Sequence, residues 1–271
     1  MEDWRHSVPS RIGRSNLLPQ LAKFYAFVPS AIIFRVPEAE ILRAVPMIRP
    51  TLDLCCGDGF FASLISPSGF DAGCDFNQSA LNKAAQRRLY SQLACNDITQ
   101  GLSFPDNTFN TIISNSSLEH VKDIDRALCE VYRVLKPGGL FYTTFASSFA
   151  YEWWLGSSEG RKRYLDWQPV YNYFSYQDWC KHFASAGLNV IDHAYYLSKM
   201  TSQIAMLLDY HFSRTYLTSD KGRIQTIIRA MRRVPAAQRV WPSIWRLLFA
   251  ASRILTGKEQ GGGILLVAEK R

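Results

Sequence analysis

A glycine-rich turn after the first apolar run is the strongest chemical signal in this sequence. Residues 51–59 read Thr-Leu-Asp-Leu-Cys-Cys-Gly-Asp-Gly, a short predicted strand that runs into a turn and opens a helix. Gly57 and Gly59 lack a Cβ, so the backbone can turn sharply and let a ligand lie against it at the carboxyl edge of a sheet. Asp53 is an acid near the end of the strand, where it could hold a cationic amino group. The same letters also fit a dinucleotide-binding turn, so this motif alone does not choose the ligand.

A second acid points to a nucleoside. Asp75 closes the second predicted strand, 16 residues after Gly59. An acid at that place can bind the two ribose hydroxyls of a dinucleotide or of another nucleoside cofactor. The glycine turn and Asp75 together therefore predict a nucleoside site whose identity other motifs must decide.

These residues would be positioned by a parallel sheet. From residue 51 onwards, short apolar runs alternate with amphipathic helical stretches, a pattern typical of strands joined by crossover helices. We expect Ser79 to cap the second helix and Lys136 to Gly139 to end the helix over 123–135. The last strand should be antiparallel, since no helix that packs neatly precedes it. The predicted strands are 51–55, 71–75, 92–95, 109–114, 140–145, 188–193 and 264–268.

Three further motifs decide between the nucleosides. Asn96-Asp97 follows the third strand, residues 105–109 (Pro-Asp-Asn-Thr-Phe) precede the fourth, and residues 135–139 (Leu-Lys-Pro-Gly-Gly) precede the fifth. Their order and spacing closely resemble the class I S-adenosylmethionine-dependent methyltransferases, particularly the type 11 group. The resemblance covers residues 49–145 and resumes more loosely over 176–190 and 261–270. It implies a doubly wound, seven-stranded, mostly parallel α/β sheet with an antiparallel last strand, a Rossmann-like fold with helical inserts, and S-adenosylmethionine as the cofactor.

The resemblance also implies roles for individual residues. One residue departs from the pattern, because the family usually has glycine where Cys55 stands, and a side chain there narrows the turn. The implied cofactor-binding set is Asp53, Cys55, Gly57 and Gly59 at the methionine part, Asp75 at the ribose, Phe76, Asn96, Asp97 and the Ile98 backbone at the adenine, and Asn115 and Ser116 beside the sulfonium.

His120 is the candidate catalytic residue. It lies where the fourth strand meets its helix, beside the expected methyl group. Methyl transfer from a sulfonium needs mainly positioning, but an oxygen nucleophile also needs a base, so His120 could act as a general base or orient the substrate. Alternatively, Glu119 and His120 brace the following helix. We predict no metal site, because this pair supplies too few ligands and the six cysteines form no CxxC pair.

Two inserts bear on the acceptor. Residues 146–174 are rich in aromatics, which suits a pocket for a flat or greasy small molecule, a platform for a sugar ring, or core packing under a lid. Residues 198–260 hold eleven Lys or Arg against three acids within 198–259, and so carry the whole net charge of +8. Residues 222–233 and 241–253 read as basic amphipathic helices, which suit an anionic membrane surface or form a cap with solvated arginines. Nucleic acid is disfavoured because no RNA-binding module is visible.

The chain is therefore expected to be one decorated domain. It comprises an N-terminal helical lid (1–50), an α/β core (51–197) with the aromatic insert 146–174, a basic insert or cap (198–260) and the last strand (261–271). With no secretory signal or membrane span, we expect a cytoplasmic protein that acts peripherally at the inner membrane face. The first hypothesis is methyl transfer to a small hydrophobic or lipid-linked acceptor. The alternatives are a saccharide O-methyltransferase and a non-catalytic, cofactor-binding regulatory protein.

Overall fold

An eight-stranded sheet runs through the centre of the computed structural model, which describes residues 3–212, 230 and 233–271. Its strand order is β3-β2-β1-β4-β5-β8-β6-β7, and the first five of these strands are parallel. β8 runs antiparallel between β5 and β6. The strands are β1 Thr51–Leu54, β2 Phe70–Asp75, β3 Tyr90–Cys95, β4 Phe109–Asn115, β5 Leu135–Ala146, β6 Leu188–Tyr196, β7 Leu255–Gly257 and β8 Gly263–Lys270.

The predicted fold class is confirmed, with one strand more than expected. β7 is a three-residue edge strand that pairs with the end of β6. So short a strand has no alternating pattern from which it could be recognised.

Helices cover both faces of the sheet. On one face, Leu52, Leu54 and Ile112 pack in a core with the apolar sides of α5 and α8. On the other, Ile113, Tyr142 and Leu265 pack against α1, α2 and α3. The helices are α1 Leu18–Phe24, α2 Pro29–Ala44, α3 Phe60–Ile65, α4 Gln78–Arg87, α5 Ile124–Val134, α6 Ser148–Glu152, α7 Ser158–Trp167, α8 Tyr176–Ser185, α9 Lys199–Phe212 and α10 Pro235–Phe249.

Two local expectations were wrong. The cap of α4 is Asn77 rather than Ser79, since the Asn77 side chain accepts hydrogen bonds from the backbone N–H groups of Ser79 and Ala80. The helix α5 ends just before residues 136–139 as expected, but the fifth strand was predicted to begin at residue 140 and β5 begins at Leu135. Gly138 adopts a φ of 73° there, and the pairing with β4 shifts register at Phe109, so the glycines serve an irregular strand start.

The N-terminal helices and the basic insert pack together. α2 contacts α1, α3, α9 and α10, and the Trp245 indole of α10 donates a hydrogen bond to the Ala26 carbonyl. The helix predicted over 222–233 lies outside the described residues, except for residues 230 and 233. Across the described ranges, every helix is too short or too polar to cross a bilayer.

Candidate active site

A cavity of about 510 Å³ opens at the carboxyl ends of β1, β2, β3 and β4, and we call it the nucleoside cavity. Parallel strands point their carboxyl ends to one edge, so loops distant in sequence converge there. Eight of the twelve predicted site residues line this cavity: Cys55, Asp75, Phe76, Asn96, Asp97, Ile98, Ser116 and His120.

The glycine turn and Asp75 form one hydrogen-bonded unit. The Gly57 N–H donates to Asp75 Oδ2 at 2.9 Å, and Asp75 Oδ1 accepts from the Asn77 N–H, also at 2.9 Å. Gly57 has a φ of 56°, and a Cβ on it would meet no atom within 4 Å, so the space beside the turn is open. Gly59, with a φ of 71°, packs closely on Arg87 and Tyr90. Both glycines shape the turn without lining the cavity.

Cys55 occupies a left-handed backbone position. Its φ of 60° is the conformation that glycine adopts without penalty, which explains why the turn motif favours glycine there. A non-glycine residue held in this region costs on the order of 1–3 kcal/mol. Burial also raises the pKa of the Cys55 thiol well above its usual range, so the thiol is neutral.

The adenine end of the nucleoside cavity combines an exposed ring with oriented polar groups. Phe76 is 75% exposed at the mouth of the cavity. Asp97 Oδ1 accepts hydrogen bonds from the Thr99 N–H at 2.9 Å and the Thr99 hydroxyl at 2.8 Å, which fixes the loop. A flat apolar ring, a carboxylate at the ribose position and backbone groups at the turn are the chemistry that an adenosine cofactor requires, so these residues fit S-adenosylmethionine.

Asp53 and Asn115 were also predicted to bind the cofactor, but their side chains are hydrogen-bonded to other residues of the protein. The buried Asp53 carboxyl accepts a hydrogen bond from the Tyr90 hydroxyl at 2.7 Å, and burial raises its pKa to about 7. Asn115 donates from Nδ2 to Glu38 and to Thr144. Neither side chain lines the nucleoside cavity.

A second cavity of about 200 Å³, which we call the aromatic cavity, shares Ser116 and His120 with the first. Three parts of the chain outside the cofactor motifs supply most of its lining. The aromatic insert supplies Tyr151 and Tyr164, while α2 and α9 supply, among others, Phe34, Arg35, Met206 and Asp209. Sequence reasoning placed aromatics of the insert near a pocket but missed the contributions of α2 and α9.

Glu38 anchors the boundary between the two cavities. It is fully buried and accepts hydrogen bonds from Arg35 at 2.5 Å, from Asn115 and Ser116 at 2.9 Å, and from the Tyr196 hydroxyl at 3.0 Å. Sequence reasoning missed this network. The available signal was a pair of opposite charges, three residues apart, in a helix that also holds Glu40 and Arg43 but is otherwise mostly apolar.

His120 and Glu119 lie side by side at the aromatic cavity. His120 Nδ1 is 3.3 Å from the Pro169 carbonyl oxygen, and Nε2 is 4.0 Å from Glu119 Oε1. Burial lowers the pKa of His120, so its imidazole is neutral at pH 7, and burial raises the pKa of Glu119 to about 8. Within the described ranges, no group of three or more His, Cys, Asp or Glu side chains could hold a metal ion.

Comparison with known proteins agrees with this geometry. Residues 52–143 match the model of a methyltransferase domain family. A demethylmenaquinone methyltransferase of Geobacillus sp. is 36% identical over 99 residues, which cover 34% of this chain and 42% of the relative. The chain spans about half the length of the curated relatives it matches.

Solved structures share the fold. A possible histamine N-methyltransferase from Thermotoga maritima superimposes with a TM-score of 0.56 at 15% identity, covering 94% of this chain and 92% of that chain. Phosphoethanolamine N-methyltransferase 2 of Haemonchus contortus, in complex with S-adenosylmethionine, gives 0.52 at 19% identity, covering 83% and 49%. Residues 52–143 therefore match a methyltransferase domain family, and the chain shares its fold with solved S-adenosylmethionine-dependent methyltransferases.

Proposed function

We propose that the protein transfers a methyl group from S-adenosylmethionine to a small hydrophobic or lipid-linked acceptor. The observation that carries this proposal is the meeting of the two cavities at Ser116 and His120. The cofactor supplies an activated methyl group, and the residues implied by the resemblance hold it in the nucleoside cavity. The acceptor then lies in the aromatic cavity, on the far side of the two shared residues.

The lining of the aromatic cavity supports an acceptor with an apolar ring. Phe34, Tyr151, Val170 and Met206 contribute apolar surface to it. An apolar cavity of about 150 Å³ holds one benzene ring, so about 200 Å³ suits the ring of an acceptor whose remainder extends outward. The match to demethylmenaquinone methyltransferases makes a reduced quinone with an isoprenoid tail the first acceptor to try.

We also propose that α9 and α10 rest on an anionic membrane surface. Val240, Ile244 and Leu247 repeat at helical spacing on α10 and are 54%, 36% and 81% exposed. Met200 and Ile204 of α9 are exposed as well, and both line one groove together with Leu248 of α10. We call these exposed apolar residues of α9 and α10 the apolar patch.

Basic side chains lie beside the apolar patch. Arg239 and Arg246 are exposed and seven residues apart on α10, so they share a helix face adjacent to that of Leu247. Apolar side chains that enter the head-group region, with arginines at their side, suit a leaflet of anionic lipid, to which each basic residue contributes about 1 kcal/mol. A lipid-linked acceptor would be held in the same leaflet.

Methyl transfer is tested with purified protein, S-adenosylmethionine and vesicles that contain reduced demethylmenaquinone. We expect formation of S-adenosylhomocysteine together with a methylated quinone. Calorimetry with S-adenosylhomocysteine measures the affinity for this nucleoside separately from turnover. A protein that binds this nucleoside but turns over no acceptor would support a regulatory role, and one that does not bind it would overturn the proposal.

Membrane association is tested by co-sedimentation with vesicles of phosphatidylglycerol and, separately, of phosphatidylcholine. We expect binding to the anionic vesicles, weakened by Leu247→Asp. Leu155→Asp is the matched control, since Leu155 is 56% exposed and lies outside the apolar patch. The saccharide alternative predicts no lipid binding at any salt concentration, and that result would exclude a membrane role for the apolar patch.

A further inference from the structure

One carboxyl oxygen in the aromatic cavity has no hydrogen-bond partner among the described residues. Glu119 is 4% exposed, and no described residue donates a hydrogen bond to its Oε2. Its nearest basic atom is His120 Nε2, 4.0 Å from Oε1. A buried carboxyl oxygen without a donor costs free energy, and a ligand that donates a hydrogen bond to it would remove that cost.

The groups around Glu119 define what could bind there. α2 contributes Arg35 and Glu38, while Tyr151, Tyr164, Tyr196 and Asp209 approach from α6, α7, β6 and α9. The Arg35 guanidinium lowers the pKa of Glu119 and Glu38 raises it, but burial has the largest effect, and the pKa rises to about 8. The neutral His120 adds no positive charge.

The charge pattern favours a neutral hydrogen-bond donor. Arg35 donates to Glu38 and to Asn115, so this cation is already engaged within the wall of the cavity. A cationic amine placed against Glu119 would lose its water shell in a buried site, which carries a desolvation penalty. A hydroxyl group carries no such penalty and can donate to the open Oε2.

We propose that Glu119 binds a hydroxyl group on the ring of the acceptor and takes its proton during methyl transfer. This inference rests on the proposed function and adds the recognition chemistry, that of a phenol or hydroquinone. The bond that forms joins the methyl carbon to the acceptor oxygen or to its conjugated ring carbon, and the bond that breaks is between that methyl carbon and sulfur. The hydroxyl proton passes to the Glu119 carboxylate. The positive charge of the sulfonium and the negative charge of the carboxylate disappear together.

A matched pair of probes isolates the hydroxyl group. 4-Propylphenol and 4-propylanisole have the same ring and tail, but only the phenol can donate a hydrogen bond. Each is titrated by calorimetry at pH 9, where the Glu119 carboxyl is ionised, into protein saturated with S-adenosylhomocysteine. We expect the wild type to prefer the phenol, and Glu119→Gln to lose that preference by tenfold or more with unchanged affinity for the anisole and for S-adenosylhomocysteine.

Two comparisons keep the test decisive. Glu119→Asp retains a carboxyl group and should restore part of the phenol preference, whereas Asp166→Ala, at an exposed position on α7, should leave the preference in place. A wild type that binds both probes equally, or a Glu119→Gln variant that weakens both equally, would overturn the inference. Failure of the wild type to bind S-adenosylhomocysteine would instead overturn the proposed function.

In turnover, the rate should follow the ionised carboxyl group. The wild-type rate with a phenolic acceptor should rise with pH up to about 8, following the pKa of Glu119. In Glu119→Gln this rise should disappear, while a residue with a purely structural role would lower the rate equally at all pH values.

Discussion

The nucleoside cavity and the aromatic cavity meet at two residues but are built in different ways. The nucleoside cavity is formed mostly by loops that follow successive strands, so each of its motifs sits at a fixed place in the sequence. The aromatic cavity is formed by α2, the aromatic insert and α9, which lie far apart along the chain. In this fold, the residues that bind the cofactor lie in short local motifs after single strands. The residues that bind the acceptor come together only through tertiary packing of the added helices.

Among the variants considered, removal of the Glu38 carboxylate at the boundary of the two cavities should lower the free energy of unfolding most. Glu38→Ala leaves Arg35 without its buried partner, and losing one member of such a pair costs about 3–5 kcal/mol. The free energy of unfolding, measured in urea, should fall accordingly. The double variant with Arg35→Met should recover part of the loss. If Glu38→Ala unfolds at the wild-type urea concentration, the network does not hold the cavities together.

A variant in the nucleoside cavity should affect the cofactor alone. Asp75→Ala removes the carboxylate assigned to the ribose and should weaken S-adenosylhomocysteine about 10- to 100-fold, since hydrogen bonds to charged groups contribute about 1.5–3 kcal/mol. Calorimetry measures this loss. Asp166→Ala, at an exposed position on α7, is the control and should bind normally. Equal weakening in both variants would contradict the assignment.

The buried carboxyl of the aromatic cavity should make stability depend on pH. The pKa of Glu119 is about 8 in the folded protein, against an ordinary value of 4.5, so the unfolded chain releases its proton first. Stability from this group is complete below pH 4.5 and is lost as pH rises towards 8. Glu119→Gln should therefore gain about 2 kcal/mol over wild type at pH 6, about 4 kcal/mol at pH 8 and almost nothing at pH 4.

Urea unfolding at a series of pH values measures this difference. Asp53, whose pKa is about 7, contributes in the same direction in both proteins and cancels in the comparison. A constant difference between wild type and Glu119→Gln across the pH range would show that Glu119 does not titrate in this window.

The smallest effect should come from the turn of the nucleoside cavity. Cys55→Gly removes the backbone strain of a non-glycine residue in the left-handed region. After the entropy cost of glycine, the free energy of unfolding should rise by about 0.5–1 kcal/mol. Thermal unfolding should show a slightly higher Tm. Cys56→Gly is the matched control, because Cys56 lies outside the left-handed region and gains nothing from glycine. A lower Tm for Cys55→Gly would mean that its side-chain packing outweighs the strain.

The sheet could be predicted from the sequence because buried strands and amphipathic helices give a regular pattern of apolar residues. The strand order and the place of Asp75 follow from rules that hold across parallel sheets. The sequence could not predict the Arg35–Glu38 network, whose partners Asn115 and Tyr196 lie 77 and 158 residues from Glu38. It also could not predict that the Tyr90 hydroxyl donates a hydrogen bond to Asp53, because the two residues cannot be paired from spacing alone.

The position of β8 has a consequence for how the chain acquires its structure during synthesis. In the described part of the chain, β6 joins the rest of the sheet only through β8, and β7 pairs with its outer edge. The register of β6 on β8 runs from Leu188 opposite Lys270 to Tyr196 opposite Gly263. β6 therefore leaves the ribosome well before its partners exist. The parallel strands β1 to β5 can pair during translation, whereas closure of the far edge waits for residues 263–270 and forms contacts of high sequence separation. In a chain stalled on the ribosome before residue 263, the nucleoside cavity would lie on a sheet of only the parallel strands β1 to β5.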